Sequence, residues 1–180
     1  MGCKKIFQYF LLFLHKPLLN FIDCDNYKEL PKRYILASNH PNHTDGFFVY
    51  LYWYWNYNKK VSMFAHEKYF NKWFTKPFLV LADCIKVSYS NPGDSLINAH
   101  KEKDNCFCLF IEGKKTKKKI RPKTGCIRLS NYHKIPIIPI KIINKGKFKR
   151  KIIIGKPFIP HLEDIKKDSF KLLNLIYKLH

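Results

Sequence analysis

An α/β domain, a sheet with helices packed on it, is what this sequence predicts. Short apolar runs of strand character recur along the chain: Arg33–Ala37, Val61–Ala65, Cys106–Ile111 and Ile135–Ile143. Longer stretches suited to helices separate them, so strand and helix alternate. At 180 residues and 46% hydrophobic content, the chain can bury one substantial core.

The elements follow in order. Asp23–Lys32 is polar, carries Pro31 and reads as a connecting loop. Arg33–Ala37 is a buried strand. Gly46–Trp55 is an aromatic helix or buried segment; its Tyr and Trp either fill a core or sit at a membrane interface, where an apolar body with a polar tip is favoured. Asn56–Lys60 is a turn, Val61–Ala65 a second strand, and Lys68–Leu81 a helix interrupted near Pro77. Cys84–Val87 is a short strand. Asn91-Pro92-Gly93-Asp94 is a turn and helix start, with Asp94 as N-cap and Ser95–Lys103 helical. Cys106–Ile111 suits a central strand, with Cys106 and Cys108 on one sheet face. Gly125–Tyr132 is a short helix, Ile135–Ile143 and Lys151–Ile154 are strands, and Leu162–Leu179 is a closing helix. No internal repeat is present.

The N-terminal segment is different in kind. Ile6–Ile22 is rich in Phe, Leu and Tyr, but Gln8, His15, Lys16, Pro17 and Asn20 interrupt it. A spanning helix needs about 20 mostly apolar residues. No small-residue cleavage site follows Leu14, which speaks against a secretory signal. Residues 1–30 are therefore expected to be a membrane-interfacial helix and linker, with Lys4 and Lys5 at lipid headgroups, and residues 31–180 the folded domain. The alternative is a first helix that packs on the core. Met1-Gly2-Cys3 invites lipidation at Gly2 and Cys3, although Ile6 stands where that pattern prefers Ser or Thr.

Charge narrows the partners. Against 13 Asp+Glu stand 34 Lys+Arg, a net +21 that favours polyanions: nucleic acid, anionic lipid or phosphorylated ligands. The plainer alternative for part of the Lys, Asn and Ile excess is an AT-rich coding sequence. The six cysteines show no paired CxxC spacing for zinc and no disulfide framework, so reduced cysteines in a cytosol-facing protein are expected.

Two constellations carry chemistry. Ser38-Asn39-His40-Pro41-Asn42-His43-Thr44-Asp45 follows the first buried strand. His40 and Asp45, with four residues between them, make a base and its orienter: imidazole takes a proton near neutral pH, and carboxylate fixes its tautomer. His43 is a rival base in the same loop. The second is Phe110-Ile111-Glu112-Gly113, which opens a basic loop with Lys114, Lys115, Lys117, Lys118, Lys119, Arg121 and Lys123. A glycine lets backbone approach a ligand closely, and clustered cations can neutralise a phosphate. A solvated basic loop with a structural Glu is the plainer reading. No RNP-like sequence, zinc knuckle or recognition helix accompanies it, so no specific nucleic-acid binding is expected.

Together these pieces resemble the glycerolipid acyltransferases, in particular the 1-acylglycerol-3-phosphate (lysophosphatidic acid) acyltransferase family. His40-Pro-Asn-His-Thr-Asp45 resembles its first motif, Asn-His-x4-Asp, preceded here by Asn39. Phe110-Ile-Glu-Gly-Lys-Lys115 resembles Phe-Pro-Glu-Gly-Thr-Arg, Lys123-Thr-Gly125 the following Lys-x-Gly, and Ile135-Pro-Ile-Ile-Pro-Ile140 the Val-Pro-Val-Val-Pro-Val strand. Ala65-His-Glu-Lys-Tyr-Phe70 and Gly155-Lys-Pro157 fall where the family writes Ala-Lys-x-Glu-Leu-Phe and Gly-x-Pro. Order and spacing agree from about Tyr34 to Phe158. The second motif departs: its phosphate-holding Arg is Tyr89, with Lys86 nearby as a substitute. Ile111 replaces a Pro, and Lys114-Lys115 replace Thr-Arg, which gives up the planar fork of Arg.

The resemblance implies a mixed, mostly parallel central sheet flanked by helices, with 31–180 as an acyltransferase domain. It implies acyl transfer from acyl-CoA or acyl carrier protein, as co-substrate, to a lysophospholipid hydroxyl in phospholipid biosynthesis or remodelling. His40 would be general base and Asp45 its orienter; Glu112, Gly113 and Lys115 would place the acceptor, with Lys86 and Lys123 behind them. No metal or other cofactor is implied. The protein would lie at an anionic, cytosol-facing membrane surface as a peripheral or monotopic enzyme. The rival is a catalytically inactive acyltransferase fold that binds anionic lipid.

Overall fold

The computed structural model describes residues 16–25, 29–73, 75–82, 84–88, 99, 106–116, 118–146, 149–161 and 163–180. Strands form at β1 (Ile22–Asp25), β2 (Ile35–Ser38), β3 (Val61–His66), β4 (Ile85–Val87), β5 (Cys106–Phe110), β6 (Ile137–Asn144) and β7 (Arg150–Ile154). They make one seven-stranded sheet in the order β1-β7-β6-β2-β5-β3-β4. The pairs β6–β2, β2–β5, β5–β3 and β3–β4 are parallel; β7 runs antiparallel to β6, and β1 runs parallel to β7. The sheet is mixed and mostly parallel, as the resemblance implied.

Alternation along the strands divides the core into two layers. On one face Leu36, Cys106, Cys108, Ile138 and Ile140 pack under α1 (Asp45–Tyr57), which buries Val49, Tyr50, Leu51 and Trp53. On the other, Ile35, Ala37, Phe107 and Ile137 meet α4 (Gly125–His133) and α5 (Ile165–Lys178) through Ile127, Leu129, Leu172, Leu173 and Ile176. Cys106 and Cys108 do share a face. The aromatic run is largely core: Trp53 is fully buried and its Nε1–H donates to Tyr34 Oη at 3.0 Å. Asn58 ends α1 in the left-handed conformation that asparagine tolerates.

The stretch after β3 is two short helices, α2 (Glu67–Phe70) and α3 (Lys76–Leu81), rather than one helix broken at Pro77. Pro77 sits in the first turn of α3, where its missing N–H costs nothing, and the break falls before it. The expected loop from Asp23 begins as strand β1, which pairs along the outer side of β7 and supplies Ile22 and Cys24 to the core. Lys16–Phe21 form a 3-10 helix, and Leu18 and Leu19 also pack on that core. The folded unit therefore starts before residue 31. The rest of the expected interfacial helix, the Gly2/Cys3 pair and Tyr89 lie outside the described residues. So does the expected helix Ser95–Lys103, except Ala99, which is helical and buried. Among the described residues, no helix is long and apolar enough to cross a membrane.

Candidate active site

Register brings the two sequence constellations together. Ser38, last in β2, is level with Phe110, last in β5, so the chain leaves both strands side by side at one edge of the sheet. The loop after β5 is then stitched to the loop after β2. Ile111 N–H donates to Ser38 O at 2.9 Å and Thr116 N–H to His40 O at 2.9 Å, while His40 N–H donates to Glu112 Oε2 at 3.2 Å. Both backbone groups of His40 are thereby held by residues 112–116. Asn39 fixes the other flank, exchanging two bonds with the Ile142 backbone of β6 at 2.7 and 3.0 Å.

The His40 ring stacks on Phe110, with centroids 3.8 Å apart at 18°. Its Nδ1 faces Asp45 Oδ2 at 3.4 Å, and among the described residues Nδ1 has no hydrogen-bond partner. The separation exceeds a formed hydrogen bond; such contacts in ligand-free sites tighten when substrate binds. With Nδ1 turned inward, Nε2 is the nitrogen on the open edge of the ring. Asp45 is fully buried at the first residue of α1, where the helix dipole favours an anion. Asn42 N–H donates to its Oδ2 at 2.5 Å, which closes the loop around it.

The sequence did not single out Arg150. It is fully buried, and its Nε donates to Asp45 Oδ1 at 3.1 Å. One of its terminal nitrogens donates to Thr44 Oγ1 at 2.9 Å, and the other to the backbone oxygens of Lys149 and Gly146. Topology delivers it. Because β7 is antiparallel to β6, its first residue, paired with Asn144, arrives at the edge where the parallel strands end. One signal existed: the chain has only four Arg among its 34 Lys+Arg, so Arg at the head of a strand marks a place where lysine does not serve.

Glu112 lies deeper than expected. It is 1% exposed and both its oxygens are engaged, Oε2 by His40 N–H and Oε1 by Tyr177 Oη–H of α5 at 2.5 Å. Burial pushes its carboxyl up from the ordinary range, and the bonds from Tyr177 and His40 oppose that shift. Both oxygens of its carboxylate are thus taken up by groups of the protein itself. Gly113 is needed for conformation: its φ is +68°, and a Cβ there would stand 2.9 Å from Lys123 Cγ. Lys115 and Lys123 are exposed beside this turn. Lys86 is not brought to the pair; it lies on edge strand β4, third from β2 and about 14 Å away at the usual strand spacing. His43 is exposed, its ring centroid 6.5 Å from that of His40, and it is held towards its neutral form by desolvation and then by Lys115. Among the described residues, no three His, Cys, Asp or Glu side chains gather to hold a metal ion.

The sequence model of the Acyltransferase family matches residues 21–143, a span that contains both loops. The chain belongs to the acyltransferase family. Among solved structures, this acyltransferase resembles the 1-acyl-sn-glycerophosphate (LPA) acyltransferase PlsC from Thermotoga maritima, with a TM-score of 0.68 at 16% sequence identity. The likeness covers 96% of this chain and 80% of that one, so the two share a fold. No curated protein matches it.

Proposed function

We propose that this acyltransferase moves a fatty acyl group from acyl-CoA or acyl carrier protein to the free hydroxyl of a lysophospholipid, 1-acylglycerol 3-phosphate foremost, giving phosphatidic acid. The observation that carries this reading is the His40–Asp45 pair at a sheet edge shared with the Gly113–Lys123 cationic turn. His40 Nε2 takes the hydroxyl proton as the oxygen attacks the thioester carbonyl, and Asp45 keeps the other ring nitrogen protonated and supports the imidazolium. Collapse of the tetrahedral intermediate expels the thiolate, which takes the proton back from His40. Lys115 and Lys123 place the acceptor phosphate, while Glu112 acts indirectly, holding the His40 backbone.

The acceptor is a membrane lipid, and the surface near the site suits an anionic bilayer. Trp73 is 86% exposed between α2 and α3, Phe78 and Val80 are also exposed, and Lys72 and Lys76 stand among them. Apolar insertion and cationic attraction add at such a surface, at about 1 kcal/mol per lysine.

The test is acyl transfer by purified protein on anionic vesicles, offering labelled oleoyl-CoA or oleoyl carrier protein with several lysophospholipids and glycerol 3-phosphate. Transfer that disappears in His40→Ala supports the reading. Turnover surviving that substitution would remove His40 as base. Vesicle binding with no transfer to any acceptor would point to the inactive lipid-binding alternative.

A further inference from the structure

Asp45 has one face towards His40 and the other towards Arg150. From this geometry we infer that Arg150 is a positioning residue for the His40–Asp45 pair, holding the carboxylate so that it fixes the tautomer of the imidazole. The inference rests on the reading of His40 as base. Arg150 lies beyond the stretch that the family model matches, residues 21–143.

Three observations carry it. First, the contact is directed: Nε takes Oδ1 and a terminal nitrogen takes Thr44 Oγ1, the residue just before Asp45. Two anchors on adjacent residues fix the carboxylate plane, which leaves Oδ2 aimed at His40 Nδ1. Second, the guanidinium is itself immobilised. The Lys149 and Gly146 carbonyl oxygens accept from it, and its carbon lies 5.1 Å from the centre of the Phe48 ring. Third, Arg150 and Asp45 are both fully buried, so little solvent competes for the contact between them.

Among the described residues, other charged or titratable groups near the pair include Glu112 and Lys115 from the loop after β5, His43 from its own loop, and Lys68 of α2 towards His43. None of these reaches Asp45 by a hydrogen bond among the described residues, whereas Arg150 does.

The test reads the His40 ring directly, by nitrogen NMR of the full chain with labelled histidine, assigned through His40→Gln. In Arg150→Met, and in Arg150→Lys, which keeps the charge but not the fork, the Nδ1–H tautomer is expected to lose its dominance and kcat to fall roughly tenfold at unchanged KM. A parental tautomer in Arg150→Lys would overturn the positioning role, and that arm decides alone should Arg150→Met fail to melt cooperatively. Turnover that survives His40→Ala would sink the base assignment instead and leave the NMR result standing.

Discussion

Single side chains decide whether this site works. His40→Ala is expected to lower transfer by roughly 10²–10⁴-fold with a small change in melting temperature, because the ring is partly open and gives up chiefly its stacking on Phe110. Glu112 gives a different signature. Glu112→Leu leaves His40 N–H without its acceptor, and should destabilise by about 1–3 kcal/mol in chemical denaturation while also lowering kcat. Glu112→Gln can accept from His40 and donate to Tyr177, so it should be milder. The pH dependence separates them further. The folded carboxyl binds its proton more tightly than the unfolded one, so its contribution to stability is full below the ordinary carboxylate range and is lost as pH rises through the raised value. Denaturation at several pH values between 4 and 7 should show that loss in the parent and not in Glu112→Gln. At this scale the sequence was legible where proximity follows spacing, as for His40 and Asp45, which lie 3.4 Å apart. It was silent on Arg150 and Tyr177, whose partners lie 105 and 65 positions away along the chain.

Elements were legible where apolar pattern and turn residues agreed, as in β5 and α5. They were misread where tertiary pairing outweighed composition. The four residues of β1 include two aspartates and look like loop, yet pairing with β7 makes them strand. Pro77 looked like a break and is a beginning. Two expectations belong to elements. Gly155, after β7, is buried where a Cβ would lie 2.9 Å from both Pro139 Cγ and Leu179 Cδ2, so Gly155→Ala should cost about 1–3 kcal/mol, read as a lower denaturation midpoint. Between α2 and α3, Trp73→Ser should reduce sedimentation with anionic vesicles severalfold and leave the melting temperature nearly unchanged, since the indole is largely exposed.

For the whole molecule the dominant quantity is charge. A net +21 should make binding to anionic vesicles fall steeply as salt is raised from low to physiological ionic strength, with neutral vesicles binding far less. Binding indifferent to salt would mean that apolar insertion dominates. The mixed sheet also joins distant parts of the sequence. His40 and Asp45 come early, but Arg150 braces the carboxylate and Tyr177 braces the loop that grips the His40 backbone. A growing chain therefore emerges with His40 and Asp45 first and their braces last. Until β7 and α5 dock, Asp45 lacks its contact with Arg150 and the loop that grips the His40 backbone lacks Tyr177, so the site is expected to be completed only late in synthesis. Fragments split between α4 and β6 should each be inert, and mixing them should restore turnover only as the two halves of the sheet rejoin.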